Sequence, residues 1–367
     1  MCARFFSFVC VLCVLADVRV FRRGRLPPYF SEDAWEPSEM KTWIKDGDLV
    51  VATAAKSGTT WMLFCTHQIR TKGSDDVEYR DVSYSTPWPD CIQKPGNTWA
   101  MQKEMLNTTV LADGKKLVDY WNHPNFPFRI FKSHYTPTTI KVKEFPKVKF
   151  LSMVRNGLDV VSSLVPFFRA HSDEFRTMWG GFPPSSPDDV EADRAARIAE
   201  VLPGGTLGGV YFNYAKEWWP YRNEPNVLML HYADAVKDLG GTIAKLADFL
   251  DVKLSSEEKA KVTEKCGMPY MKRNTHMFNY ALPLNPEYNA QDKRIMVSGS
   301  LTRKGGLGEG KAIFTDDQKT RSVFTCIVAE GRAAAKGTPP CASRSQSMWI
   351  YVVDPFNLPP HPLPPSV

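Results

Sequence analysis

The first candidate site is a short polar loop at residues 55–61, which reads AKSGTTW. It lies between an apolar, β-branched run at residues 48–53 and a predicted helix at residues 59–70. Free backbone N–H groups at a helix N-terminus, with the positive end of the helix dipole behind them, bind phosphate. The loop also offers a positive charge, three hydroxyl groups and a flexible backbone position: Lys56, then Ser57, Thr59 and Thr60, and Gly58. The pattern predicts an anion site, and the alternative is a helix cap beside a chance lysine.

This loop does not match the Walker A pattern of P-loop nucleotide-binding proteins. That pattern needs glycines six residues and one residue before its lysine. Here those two positions hold Val50 and Ala55. The missing glycines argue against a P-loop kinase acting on a small molecule, which stays open as an alternative beside a non-catalytic nucleotide-binding protein.

A histidine that could act as a general base follows a predicted strand at residues 129–131. Side chains alternate along a strand, so Lys132 and His134 are expected on one face. The pKa of a histidine can lie near working pH, which suits proton transfer. Taken alone, such a histidine is more often structural than catalytic.

Two further basic segments could bind a phosphate. Arg155 follows the apolar run at residues 149–154, and the guanidinium fork suits a phosphate dianion. Ser163 comes eight residues later, about two turns along the predicted helix. The second segment, residues 303–308, reads RKGGLG. A strand-end arginine and a basic surface turn are the structural alternatives.

These segments need elements to position them, and the chain alternates apolar β-branched runs with amphipathic patterns. Strands are predicted at residues 48–53, 129–131, 149–154 and 227–230. One helix is predicted at residues 59–70, and another begins at Leu158 and is limited by Pro166. A third contains the apolar stripe of Ile243, Leu246, Ala247 and Leu250, and a fourth begins at a capping box at Ser255. This alternation predicts a parallel sheet with both faces covered. Residues 71–128 are less regular and are predicted to form a lid or binding surface.

Together the segments resemble those of the sulfotransferases that use 3′-phosphoadenylyl sulfate (PAPS). LVVATAAKSGTTW resembles their phosphosulfate-binding loop, in which a proline usually stands where this chain has Ala55. RNGLDVVSS resembles the segment that binds the 3′-phosphate, KSH the catalytic-histidine motif, and RKGGLG the loop that closes over the 3′-phosphate. LHYAD at residues 230–234 resembles the segment whose tyrosine contacts adenine. The resemblance runs from about Leu26 to Gly331.

The resemblance implies a P-loop-like three-layer α/β fold, with a central parallel β-sheet flanked by helices. It also implies an enzyme that transfers a sulfuryl group from PAPS to a hydroxyl or amine of a small acceptor and releases PAP. His134 would be the general base, while Lys56 would neutralise the leaving oxygen and Lys132 the sulfuryl oxygens. The residues implied in nucleotide binding are Lys56, Ser57, Gly58, Thr59, Thr60, Trp61, Arg155, Ser163, Tyr232, Arg303, Lys304 and Gly305. No metal is implied.

The chain departs from the family pattern in three places. Cys266, Gly267 and Met268 replace the usual Thr-Ser-Phe beside the adenine, and residues 309–312 (EGKA) replace Asp-Trp-Lys-Asn. The family's short dimer motif aligns with Lys311, Thr315, Asp316 and Thr320, where valine and glutamate are both lost. These replacements argue against the family dimer, while the oligomeric state and other dimers stay open.

The two ends differ from the predicted domain, residues 26–335. Residues 1–25 form an apolar and basic leader, either a signal peptide or a disordered segment. Residues 336–367 are rich in proline and are predicted to be disordered. We expect a cytoplasmic protein, or one of the secretory pathway if the leader is a functional signal. The leader's apolar run is too short to span a membrane, so no stable membrane insertion is expected.

Composition limits the partners. The net charge of +6 suits an anionic ligand, but no Lys/Arg run is dense enough to predict nucleic-acid binding. The expected partner is a small-molecule acceptor. Four aromatic residues could line its pocket or belong to the core: Trp88, Trp99, Phe167 and Phe168.

Overall fold

The computed structural model describes residues 27–201, 214–285, 287–288 and 294–315. The predicted leader (residues 1–25) and the predicted tail (residues 336–367) lie outside this part of the chain, as do Asp316 and Thr320 of the dimer motif.

Four parallel strands form the central sheet in the order β2-β1-β3-β4. They are β1 Leu49–Ala52, β2 Ile130–Ser133, β3 Lys149–Val154 and β4 Val227–His231. In register, Leu49 of β1 is opposite Ile130 of β2 and Lys149 of β3. The four predicted strands and their parallel arrangement are confirmed.

Helices flank the sheet in chain order. They are α1 Pro37–Trp43, α2 Thr59–Arg70, α3 Val82–Ser85, α4 Trp99–Thr108, α5 Val118–Trp121, α6 Gly157–Arg169, α7 Asp173–Met178, α8 Val190–Val201, α9 Tyr232–Lys237, α10 Leu239–Phe249, α11 Ser256–Cys266, α12 Met268–Arg273 and α13 Glu309–Ile313. Short 3₁₀ helices occur at Asp33–Trp35, Val142–Glu144, Trp219–Tyr221 and Thr275–Phe278. The capping box predicted at Ser255 is present at the start of α11.

Two cores lie on opposite faces of the sheet. Leu49 and Val51 of β1 belong to one apolar cluster, and Val50 and Ala52 belong to the other. Because side chains alternate along a strand, these two sets point to opposite faces. The all-apolar run of β1 is therefore explained by burial on both sides, which makes the fold a three-layer α/β arrangement.

The prediction that Pro166 limits the helix after β3 is wrong. Helix α6 continues through Pro166 to Arg169, although proline lacks the N–H that would bond four residues back. Past the proline, the N–H of Ala170 donates to the carbonyl of Pro166 at 3.1 Å. Burial of residues such as Val161 and Val165 along one face outweighs one missing hydrogen bond.

Residues 71–128 hold α3, α4 and α5 and are more regular than predicted. Trp99 packs in the core against Trp43, with ring centroids 5.3 Å apart, whereas Trp88 lines the main cavity. Over the described residues, no helix is both long and apolar enough to cross a membrane.

Candidate active site

The carboxyl ends of the parallel strands meet at one edge of the sheet, where ligands bind in open α/β folds. A cavity that opens to solvent lies at this edge. Five basic side chains line it: Lys56, Lys132, Arg155, Arg303 and Lys304. Other predicted site residues in its wall are Gly58, Thr59, Thr60, Trp61, His134, Ser163, Tyr232 and Gly305. The structure thus brings together residues from five distant segments.

The turn between β1 and α2 has the shape of an anion loop. Gly58 has φ +100°, and a Cβ there would lie 2.9 Å from Sδ of Met153 and 3.2 Å from the Tyr232 ring. Glycine is therefore required both by conformation and by space. Lys56 also has a left-handed φ of 65°, and its carbonyl accepts a hydrogen bond from Nη1 of Arg155 at 2.8 Å. Strain of this kind persists where the surroundings hold it, and it is common at ligand sites.

Ser57 is the one predicted loop residue outside the cavity wall. It is fully buried, and its Oγ has no hydrogen-bond partner among the described residues. A buried hydroxyl without a partner carries a cost, so this oxygen is available to a group that enters the loop.

Two lysines of the cavity, Lys56 and Lys132, are destabilised as cations. Burial, with Arg155 and Arg303 nearby, lowers the pKa of Lys56 to about 7. Burial also lowers the pKa of Lys132 to about 7, although its Nζ lies 3.2 Å from the centroid of the Trp88 ring. Desolvated cations crowded together gain from a multiply charged anion, which restores the charged forms. The site is therefore electrostatically fitted to phosphate or sulfate groups.

His134 is oriented by a backbone hydrogen bond and is neutral. Its Nδ1 lies 2.7 Å from the carbonyl oxygen of Thr53, so Nδ1 carries the proton and Nε2 keeps a lone pair. Burial, and secondarily Lys132, lowers the pKa of His134 to about 3. The imidazole is therefore uncharged at neutral pH, with a lone pair on Nε2.

Asp90, which sequence reasoning did not single out, anchors this histidine. Its carboxylate accepts hydrogen bonds from the backbone N–H of His134 at 2.6 Å, Oγ of Ser133 at 3.2 Å and Nε1 of Trp35 at 2.9 Å. Burial raises the pKa of Asp90 to about 6. Nothing in the irregular segment around residue 90 marks this role, because the partners come from two other parts of the chain.

The RKGGLG loop is held against the start of α6 by a second carboxylate that sequence reasoning missed. Asp159 accepts hydrogen bonds from the N–H groups of Gly308 at 3.0 Å and Gly310 at 2.8 Å. A Cβ at Gly310 would lie 2.3 Å from the carbonyl carbon of Leu158. The glycine at this departure from the family pattern therefore permits very close packing of α13 on α6.

Glu309 forms ion pairs with the basic side chains of the same loop. Its carboxylate accepts from both Nη atoms of Arg303, at 3.0 and 2.9 Å, and from Nζ of Lys304 at 2.8 Å. The hydrogen bond from Arg303 is the main cause that lowers the pKa of Glu309 to about 2. Of the described residues that line the cavity, Glu309 alone carries a carboxylate.

Two rings form the wall where an adenine is expected. Trp61 and Tyr232 lie with ring centroids 5.5 Å apart, and Nε1 of Trp61 donates to the carbonyl of Cys266 at 2.8 Å. The backbone of Cys266 thus contacts this wall, and Met268 lines the cavity beside it.

The opposite part of the cavity is largely apolar. Trp88 and Phe167 line it, as predicted, but Phe168 and Trp99 do not. Further lining residues that sequence reasoning did not single out are Tyr29, His171, Phe175, Tyr280, Ile295 and Met296. They come from scattered segments, and only the fold brings them together.

Comparison with known proteins assigns the family. The sulfotransferase domain matches residues 46–323. The chain belongs to the sulfotransferase family. Relatives include sulfotransferase 1E1 of Homo sapiens, 29% identical over 73% of this chain and 78% of that protein, and sulfotransferase 2A1 of Rattus norvegicus, 28% identical over 75% and 81%. The prediction of a sulfotransferase is confirmed.

Solved sulfotransferase-like structures share the fold. Retinol dehydratase, determined in complex with retinol and PAP, superposes with a TM-score of 0.54 at 22% identity, over 76% of this chain and 79% of that one. Mouse sulfotransferase SULT7A1, complexed with PAP, gives a TM-score of 0.50 at 19% identity, over 76% and 81%. The predicted fold class is confirmed. In the described part of this chain, no group of three or more His, Cys, Asp or Glu side chains could hold a metal ion.

Proposed function

We propose that this sulfotransferase moves the sulfuryl group of PAPS to a hydroxyl group of a lipophilic small molecule, with His134 as the general base. The observation that carries the proposal is one cavity that combines five basic side chains with a neutral histidine and an apolar wall. The basic part suits the two phosphates and the sulfate of the donor, and the apolar part suits an uncharged acceptor.

The basic residues divide between the two ends of the nucleotide. The first turn of α2, from Thr59, presents backbone N–H groups that suit the 5′-phosphosulfate, with Lys56 and the Ser57 hydroxyl beside them. Arg155, Ser163 and the loop of Arg303 to Gly305 are assigned to the 3′-phosphate. Trp61 and Tyr232, whose rings lie edge to face, would form one aromatic wall against the adenine. A site for the 3′-phosphate would distinguish PAPS from ATP, which has no 3′-phosphate.

The chemistry follows from these positions as an in-line displacement at sulfur. Nε2 of His134 accepts the proton of the acceptor hydroxyl while the acceptor oxygen bonds to sulfur. The bond from sulfur to the bridging oxygen breaks, and that oxygen leaves with the electron pair as part of PAP. Lys56 stabilises the charge on the leaving oxygen, and Lys132 stabilises the sulfuryl oxygens.

The acceptor is proposed to be an apolar alcohol or phenol. The ligands named for retinol dehydratase structures, retinol and androsterone, are small apolar alcohols. In this chain Trp88, Phe167 and Phe175 line the cavity, and the ring centroid of Trp88 lies 5.3 Å from that of His134. An amine acceptor is the alternative that the acceptor assay tests.

We further propose a cytoplasmic enzyme that does not use the family's dimer motif. The buried Cys65, Cys91 and Cys266 are free thiols, which suits a reducing compartment. Asp316 and Thr320 stand where the dimer motif has valine and glutamate. Light scattering at several protein concentrations, and localisation of the tagged full chain, test these two statements.

The test of the proposed function is calorimetric binding of PAP to the wild type and to Arg155→Ala, with adenosine 5′-phosphosulfate and ATP–Mg²⁺ as competitors. We expect metal-independent PAP binding that weakens strongly in the variant, and formation of PAP from PAPS only when an acceptor is added. Preference for ATP–Mg²⁺ would return the kinase alternative. PAP binding without turnover of any phenol, alcohol or amine would favour the non-catalytic alternative.

A further inference from the structure

One polar group in the apolar part of the cavity has no role in the transfer described above. His171 lines the cavity and is 6% exposed. The aromatic rings of Phe167 and Phe175 lie around it, with centroids 4.8 and 5.8 Å from its own. A buried polar side chain in such surroundings requires partners for its polar atoms.

The hydrogen bonds of His171 decide which nitrogen remains for a ligand. Its Nδ1 lies 3.0 Å from the carbonyl oxygen of Phe167. A carbonyl oxygen only accepts, so Nδ1 carries the proton and Nε2 carries a lone pair. The hydrogen-bonding neighbours of the ring among the described residues are the backbone carbonyls of Phe167 and Phe168, which accept and cannot donate to Nε2. Burial lowers the pKa of His171 to about 4, so the ring is neutral at pH 7.

The backbone around His171 is held on two sides. His171 forms an isolated antiparallel bridge with Met296, and the N–H of Val297 donates to the carbonyl of Ala170 at 2.8 Å. The next residue, Ser172, caps α7. The imidazole is therefore a fixed feature of the wall and presents the same acceptor to every ligand.

Phe167 connects this acceptor to the reaction centre. Nζ of Lys56 lies 4.2 Å from the centroid of the Phe167 ring, and the centroid of the His171 ring lies 4.8 Å from the same point. An acceptor whose skeleton packs on Phe167 can therefore contact both the transfer site and His171.

We infer that His171 is an acceptor-binding residue that selects apolar alcohols or phenols carrying a second hydrogen-bond donor, a hydroxyl or an N–H, at the end distant from the reacting hydroxyl. This inference rests on the proposed function and narrows its substrate class. A ligand with only a carbonyl or ether oxygen at that end places two acceptors against each other. Since sites built to bond a donor reject the analogue that lacks it, we expect a preference of about tenfold in kcat/KM.

The test compares matched acceptors that differ only in the distant group. One pair is 5α-androstane-3α,17β-diol and androsterone, and the other is naphthalene-2,6-diol and 6-methoxy-2-naphthol. We expect the wild type to prefer the diol in at least one pair, after correction for two reactive hydroxyls. In His171→Phe, which keeps an aromatic ring without the acceptor, the preference should fall to about one, and in His171→Gln, whose amide oxygen can accept, it should partly return.

Every outcome bears on the inference. Equal use of both members of each pair by the wild type, or a preference that survives in His171→Phe, overturns it. If PAP binds but none of the four compounds is sulfated, the acceptor class is wrong while the donor site stands. If PAP does not bind, the proposed function itself fails. A His171→Phe protein that does not fold is replaced in the comparison by His171→Gln and His171→Leu.

Discussion

The imidazole of His134 is oriented by the carbonyl oxygen of Thr53, which lies 2.7 Å from Nδ1. Thr53 directly follows β1, and His134 directly follows β2, so two neighbouring parallel strands set the ring. This hydrogen bond leaves Nε2 as the basic atom. The orientation of the imidazole is thus set by the sheet register rather than by the motif around the histidine.

Replacing this base should slow the chemical step and leave the donor site intact. For His134→Asn we expect kcat to fall by about 10²–10⁴, the usual contribution of general base catalysis. PAP affinity should stay within about twofold, because the substitution removes no cation. Steady-state kinetics and calorimetry measure the two quantities. The same substitution at His123, which does not line the cavity, is the control. A loss below tenfold in kcat would move the base role to another group.

Donor binding should take up protons above neutral pH. Lys56 and Lys132 have pKa values of about 7 in the free protein, so each loses its charge as pH rises through 7. A bound polyanion favours the charged forms and raises both pKa values. PAP affinity should therefore fall from pH 7 to pH 9, and binding at pH 8 should take up one to two protons.

Calorimetry in two buffers of different ionisation enthalpy, HEPES and Tris, counts these protons. In Lys56→Arg the uptake should drop by about one proton, since arginine stays charged throughout this range. His134 does not contribute, because its pKa of about 3 lies far below the range. Proton-neutral binding at pH 8 in the wild type would show that the lysines are already charged in the free enzyme.

Sequence motifs located the basic half of this site because each motif is local. The loop after β1, the arginine after β3 and the RKGGLG loop each carry their charge within a few residues of a strand end or turn, and all reach one cavity. Parallel strands guarantee this convergence, since their carboxyl ends share an edge. The pattern of apolar runs was enough to place those strands.

The supporting carboxylates could not be found in the same way. Asp90 and Asp159 accept hydrogen bonds from backbone N–H groups of residues far away in the sequence, His134 and Gly310. Glu309 forms an ion pair with Arg303 only because the loop turns back on itself. Likewise, the sequence rule for proline predicted a helix end at Pro166. That rule does not include tertiary burial, which stabilises α6.

Glu309 should compete with the 3′-phosphate for Arg303. Its carboxylate already occupies both Nη atoms of Arg303 and the Nζ of Lys304. For Glu309→Gln we expect PAP to bind about fivefold more tightly, the effect of a partly exposed ion pair worth about 1 kcal/mol. Adenosine 5′-phosphosulfate, which has no 3′-phosphate, should change less.

Competitive binding of the two nucleotides, measured by calorimetry, separates these effects. Glu104→Gln makes the same change in charge at an exposed position outside the cavity, and it controls for net charge. Weaker PAP binding in Glu309→Gln would show instead that the carboxylate orients Arg303 for the phosphate.

Close packing of α13 on α6 should make Gly310 intolerant of a side chain. An alanine Cβ would meet the backbone of Leu158 at 2.3 Å, so α13 must move away and the hydrogen bonds from Gly308 and Gly310 to Asp159 must lengthen. For Gly310→Ala we expect the free energy of unfolding to fall by about 1–3 kcal/mol, as in other overpacked sites. PAP affinity should fall as well, because the displaced loop carries Arg303.

Gly306→Ala is the matched control: no heavy atom lies within 4 Å of its added Cβ, and its unfolding free energy should change by less than about 0.5 kcal/mol. Urea denaturation and PAP calorimetry on both variants measure the difference, and equal stability of the two would contradict the close contact between α13 and α6.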